Sequence, residues 1–205
     1  TALIIATENN TQITFNGSGA VINLNEGQHY LVPSTRYQHQ GNGHYNMNIS
    51  STKNVYVYQL LSGATNGNEY ASGGMNFIPP LSCFMPNKID EIGFINRIGG
   101  QTFATRLNII TQVGATVTLN GGNIAAGNGP YPVTGNPNWV SYSIQNVTGN
   151  VTLNSTKAMT AGIAAGSGAV GYGGYFAGFS SVPAITKTGD CYAGILLQVD
   201  NNYDG

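Results

Sequence analysis

Thr11-Gln-Ile-Thr-Phe-Asn-Gly17 alternates apolar and polar side chains and then ends on Asn-Gly. A period of two places Ile13 and Phe15 on one face of a strand and Gln12 and Thr14 on the other. Asn-Gly supplies the two positive-φ residues that a tight hairpin needs. The stretch therefore reads as a strand running into a hairpin turn. Its echo decides the architecture. Thr14-Phe-Asn-Gly17 returns 104 residues later as Thr118-Leu-Asn-Gly121, and Ser51-Thr-Lys53 returns at the same separation as Ser155-Thr-Lys157. That separation also lays Leu3 on Leu107, Ile5 on Ile109, Thr7 on Thr111 and Ile13 on Val117. Two separate matches at one spacing indicate a duplicated β-unit, covering residues 1–63 and again 105–180. The expectation is an all-β chain: a β-sandwich, jelly-roll-like or Greek-key-like, built from two internally related β-units. A duplicated unit is expected to bury its sheet against its copy.

Other short period-2 runs agree: Ala20–Leu24, Val55–Tyr58, Trp139–Ile144 and Asn150–Leu153, each bounded by Gly, Asn or Pro. Further Asn-Gly pairs stand at Asn42-Gly43, Asn66-Gly67 and Asn128-Gly129. Residues 64–104 read as a proline-rich connector, because Met75-Asn-Phe-Ile-Pro-Pro-Leu-Ser-Cys-Phe-Met-Pro86 is apolar but carries prolines that disfavour a central strand. Residues 1–183 are taken as one domain. Residues 184–205, with the run Tyr192–Val199, read as a terminal strand or the opening of a following module.

Composition narrows the function. Of the 205 residues, 7% are charged, against about 25% in an ordinary globular domain. The formal net charge is −1 and no basic stripe exists to neutralise phosphates, so nucleic acid is excluded as a partner. No run approaches the ~18 apolar residues of a membrane-spanning helix, so insertion is not expected. The first residue is Thr and no signal peptide is visible, which fits a mature product or a piece of something longer. Few lysines, low charge and Asn-x-Ser/Thr triplets at Asn9, Asn16, Asn48, Asn146, Asn150 and Asn154 suit an extracellular or cell-surface protein. In that setting the only two cysteines, Cys83 and Cys191, permit one disulfide, which would pin the tail to the body.

Catalytic patterns are missing. There is no Gly-x-Ser-x-Gly elbow and no Gly-Lys-Ser/Thr phosphate loop. Gly166-Ser-Gly-Ala-Val-Gly171 matches Gly-x-Gly-x-x-Gly, but the aromatic- and glycine-rich run that follows cannot form the helix whose N-terminus holds a pyrophosphate. Asp90 and Glu91 are adjacent, so on a strand they face opposite ways and cannot flank one bond. His39 and His44 lack a third ligand for a catalytic zinc. No catalytic residue and no cofactor is assigned, and the chain is expected not to be an enzyme. Asp200-Asn-Asn202-Tyr-Asp204-Gly205 fits the opening of a calcium loop, which makes Asp200, Asn202 and Asp204 candidate ligands; an Asx-rich turn explains the same residues. Tyr172 and Tyr175 sit in a glycine-rich run and are the candidate ligand-binding rings, since flat rings with polar edges suit sugar or protein contact.

Several segments resemble the domain family named for the N-terminal region of the IgG-Fc-binding protein. They are Ile4-Ile-Ala6 with Asn10-Thr11, Leu24-Asn-Glu-Gly27 before Tyr30, Ser50-Ser-Thr-Lys53 leading into Val55-Tyr-Val-Tyr-Gln59, and most specifically Met75-Asn-Phe-Ile-Pro-Pro-Leu81. Gly171-Tyr-Gly-Gly-Tyr-Phe-Ala-Gly-Phe-Ser-Ser181 resembles the form found in bacterial gliding-motility adhesins of flavobacterial type. Lys53-Asn54 stands where the family often has Lys-Pro. The resemblance, over roughly residues 2–183, implies a secreted β-rich module of a large surface adhesin. It carries over no ligand-contact residue. Expected partners are a surface polysaccharide, glycan or substratum, and neighbouring modules of the same long chain. Weak contacts multiplied over many copies would give adhesion. The alternative is a carbohydrate-binding module with a defined aromatic site.

Overall fold

The computed structural model describes residues 1–61, 74–83, 85–168 and 170–176. The tail run Tyr192–Val199, Cys191 and the candidate calcium ligands Asp200, Asn202 and Asp204 lie outside the described residues.

The quoted stretch forms β2 (Thr11–Phe15), which turns through Asn16 and Gly17, both at positive φ, into β3 (Ser18–Leu24). With β7 (Ile49–Ser51) these strands make a sheet ordered β3-β2-β7. A second sheet, ordered β4-β1-β8-β9, joins β1 (Ala2–Ala6), β4 (His29–Leu31), β8 (Val55–Leu61) and β9 (Gly74–Phe77). The two sheets close over Ala2, Ile4, Ala6, Ile13, Phe15, Leu24 and Val32. A separate hairpin, β5 (Gln38–Gly41) and β6 (His44–Asn46), stands off this sandwich.

The second half repeats the plan. One sheet runs β16-β17-β13-β19-β20, from β13 (Ala104–Gln112), β16 (Tyr131–Pro132), β17 (Trp139–Gln145), β19 (Met159–Ser167) and β20 (Val170–Phe176). The facing sheet runs β10-β18-β14-β15, from β10 (Lys88–Ile92), β14 (Val117–Leu119), β15 (Gly122–Asn123) and β18 (Val151–Ser155). A two-stranded ribbon, β11 (Arg97–Ile98) with β12 (Gln101–Thr102), sits beside them. The core between the sheets holds Leu107, Ile109, Val151, Leu153 and Ile163.

Hydrogen bonds recur at the 104-residue spacing. The Gln12 N–H donates to Thr52 Oγ1 at 2.9 Å, and the Thr116 N–H donates to Thr156 Oγ1 at 2.9 Å. Lys53 Nζ caps the Asn9 carbonyl at 2.7 Å, and Lys157 Nζ caps the Val113 carbonyl at 2.6 Å. The chain is thus all-β and built from two internally related units.

Two expectations need correcting. The first is that the sister units bury their sheets against one another. Each unit instead closes its own two-layered core. The second is the alignment of Leu3 with Leu107 and Ile5 with Ile109. In the strand ladders Ile4 pairs with Val57 as Ile109 pairs with Ala161, and Val57 and Ala161 are 104 apart. Ile4 is therefore the counterpart of Ile109, and β1 has slipped by one residue relative to β13. A one-residue slip turns every side chain of a strand to the other face. The slip is taken up in the loop that follows, which is one residue longer between Ala6 and Asn10 than between Thr111 and Gly114; Asn10 and Gly114 both have positive φ.

The stretch expected to be a connector also holds strands. Met75-Asn-Phe77 belongs to β9, which pairs with β8, while Pro79, Pro80 and Pro86 lie between β9 and β10. Gly166–Gly171 forms the β19–β20 hairpin rather than a loop opening a helix.

Candidate binding surface

The slip of β1 has a chemical result. Ala2, Ile4 and Ala6 face the core, so Leu3 and Ile5 face out. Strand pairing then lines up Leu31, Leu3, Tyr58 and Phe77 as one row across all four strands of the β4-β1-β8-β9 sheet. Tyr56 beside Ile5, and Leu60 beside Met75, extend the row into a face. Leu31 is 55% exposed, Tyr56 51%, Met75 63% and Phe77 46%. Phe77 makes edge contacts with both Tyr56 and Tyr58, at 6.3 and 5.9 Å between ring centroids. Scattered apolar side chains are ordinary on a surface, but a contiguous aromatic and aliphatic face marks a contact site.

The same row in the second sandwich is Ser143, Asn108, Gly162 and Tyr175. It is polar, and it is covered. Ser141, two residues along β17 from Ser143 and on the same face, is buried beneath the β5–β6 hairpin. His44 Nε2 lies 2.8 Å from Ser141 Oγ, and Asn46 Nδ2 donates to the same oxygen at 3.0 Å and to the Pro132 carbonyl at 2.7 Å. Asn42 Nδ2 donates to the Gly127 carbonyl at 3.0 Å, and Gln40 Nε2 to Thr134 Oγ1 at 3.2 Å. The His44 ring stacks on Tyr131 with centroids 4.5 Å apart. Burial, and secondarily the positive charge of Arg106, hold the His44 pKa below its ordinary value.

This junction joins two insertions. The hairpin lies in residues 32–48, between β4 and β7, and the second unit has only residues 146–150 at that place. Residues 124–138 likewise have only 25–28 as their counterpart.

Tyr172 and Tyr175 are three residues apart on β20, so they point to opposite faces and do not form one platform. Tyr172 packs edge-on against Phe103 at the core, and its hydroxyl donates to the Ile95 carbonyl. Tyr175 lies over Gly162, where an added Cβ would meet the ring at 2.5 Å. Burial, with a smaller contribution from Tyr37, pushes the Tyr175 phenol up to about 12. Cys83 is half-buried beyond Pro79-Pro80; its expected partner Cys191 lies outside the described residues. Among the described residues no three His, Cys, Asp or Glu side chains gather into a metal-binding group. No helix there is long and apolar enough to cross a membrane.

The family model described as IgGFc binding protein matches residues 2–165. No curated protein and no solved structure matches the chain.

Proposed function

The chain belongs to the IgGFc binding protein family, and from that premise we propose that it is a non-enzymatic binding module of a secreted, cell-surface adhesin whose partner is a protein. The observation that carries this reading is the open row Leu31, Leu3, Tyr58 and Phe77, with Tyr56 and Met75 beside it. Tyr, Phe and Met are the residue types enriched where proteins meet. A face four strands wide, at ~4.8 Å per strand, falls short of the roughly 800 Å² per partner of a standard interface, so single contacts are weak and many copies are needed to hold. Adhesion, including the adhesion that gliding cells use, is the activity such a module serves. A Cys83–Cys191 disulfide suits the oxidising compartment of this reading, and intact mass with and without reductant checks it.

The test compares one copy with a tandem multi-copy chain on a panel of immobilised proteins that includes immunoglobulin Fc. The tandem chain is expected to be retained and the single copy to wash off. Tyr56→Ser with Phe77→Ser is expected to reduce tandem retention at least tenfold. Unchanged retention by that double variant would remove the open face from the binding role.

A further inference from the structure

We infer that the pocket at the junction of the two sandwiches binds a carboxylated sugar residue, with the Arg36 guanidinium taking its carboxylate. The pocket is an open cleft of about 240 Å³ between the β2–β3 turn, the 3₁₀ turn Ser34–Arg36, Gln38 and, from the second sandwich, Thr134. That is room for one sugar ring.

Three observations support the assignment. The first is the state of the cation. Arg36 Cζ stands 5.0 Å from the centroid of the buried Phe15 ring, which fixes the guanidinium by cation–π attraction. The ion pairs among the described residues are Lys53 with Glu8 and Lys88 with Asp90, and no acid lines the pocket. Arg36 therefore presents a half-buried planar fork with no carboxylate partner among the described residues, and that fork fits a carboxylate through two parallel hydrogen bonds.

The second is the rest of the wall. Ser18, Thr35 and Gln38 line the pocket, and none has a side-chain hydrogen bond to another described residue. Hydroxyl and amide groups with free capacity, set around the cation, complement the several hydroxyls that a sugar ring carries beside its carboxylate. The third is how the wall is held. Asn16 Nδ2 donates to the Arg36 carbonyl at 2.7 Å, while Asn16 Oδ1 accepts from the Asn48 N–H at 3.1 Å. Gln40 donates to Thr134 Oγ1 and keeps it in place. The backbone carrying the cation is thus tied down before any ligand arrives, which lowers the entropy cost of binding.

The experiment titrates the full chain with a galacturonic acid trisaccharide, following affinity by calorimetry and amide shifts by NMR. Galactotriose and an N-acetylated dipeptide with a free carboxylate are the parallel arms. The expected result is saturable uronate binding with shifts at Ser18, Gly19 and Arg36, and at least tenfold weaker binding of both other probes. Arg36→Gln is expected to weaken uronate binding tenfold or more while its amide spectrum away from the pocket stays that of the folded parent, and Arg36→Lys to retain part of the binding. Gln38→Ala, which leaves the charge intact, is expected to weaken it several-fold. Equal binding of galactotriose, equal binding of the dipeptide, or full affinity in Arg36→Gln would each overturn the assignment. Tyr56→Ser with Phe77→Ser leaves this site untouched, so its uronate affinity is expected to equal the parent's. The pocket and the open face are thereby judged separately.

Discussion

Gly135 shows how a single residue can be fixed from a distance. Its φ is +77°, and a Cβ there would fall 2.0 Å from the carbonyl carbon of Asn16 and 2.2 Å from the Gly17 nitrogen. Gly121 has the same φ of +77° and nothing within 4 Å of an added Cβ. Both positions carry the left-handed penalty, and only Gly135 adds a backbone collision. Gly121→Ala is expected to cost about 1 kcal/mol in urea unfolding. Gly135→Ala is expected to cost that and about 1–3 kcal/mol more. Equal losses would mean the two sandwiches separate without resistance at this contact. The sequence announces the turn at Asn120-Gly121 because Asn-Gly is a local signal. Thr134-Gly-Asn-Pro137 also reads as a turn, but the reason it must hold a glycine is the backbone of the other unit, which no local pattern contains.

At the level of elements, β1 is the instructive strand. Ala2-Leu-Ile-Ile-Ala6 is apolar at every position, so no alternation tells which face is buried. The pairing of Ile4 with Val57 decides it. Ile4 has no exposure at all, and Ile4→Ala is expected to cost roughly 2–5 kcal/mol. Ile5, on the outer face, is expected to lose about 1 kcal/mol as Ile5→Ala, in keeping with partial burial. Chemical unfolding of the two variants distinguishes the registers, and the reverse order would restore the alignment of Ile5 with Ile109. Where alternation is clean, as in Thr11–Phe15, the strand and its inner face are legible from the residues alone. The opposed directions of Tyr172 and Tyr175 were also legible, from their spacing of three. The open face was not, because Leu31, Leu3, Tyr58 and Phe77 come from four distant segments, one of them inside a proline-bounded stretch that reads as linker.

For the molecule as a whole, the duplication was visible in two short echoes, but the way the copies meet was not. An echo reports what the units share, and the junction is made from the two insertions that they do not share. That junction carries a titratable group. His44 is buried against Ser141 and Tyr131, and its pKa is held down in the folded chain. An unfolded histidine takes up a proton near pH 6.5, so below that value the unfolded state binds more protons and stability falls as pH falls. Unfolding midpoints measured from pH 7.5 down to 5.5, above the carboxylate range, are expected to decline in the parent and to flatten in His44→Gln. A decline of equal slope in both would clear His44 of the effect.

The extra residue between Ala6 and Asn10 reaches further than its size suggests. An insertion or deletion of one codon in that bend is enough to exchange which half of β1 meets solvent. Heritable change there can give a module a greasy exterior, or take it away, without altering a single side chain of the strand.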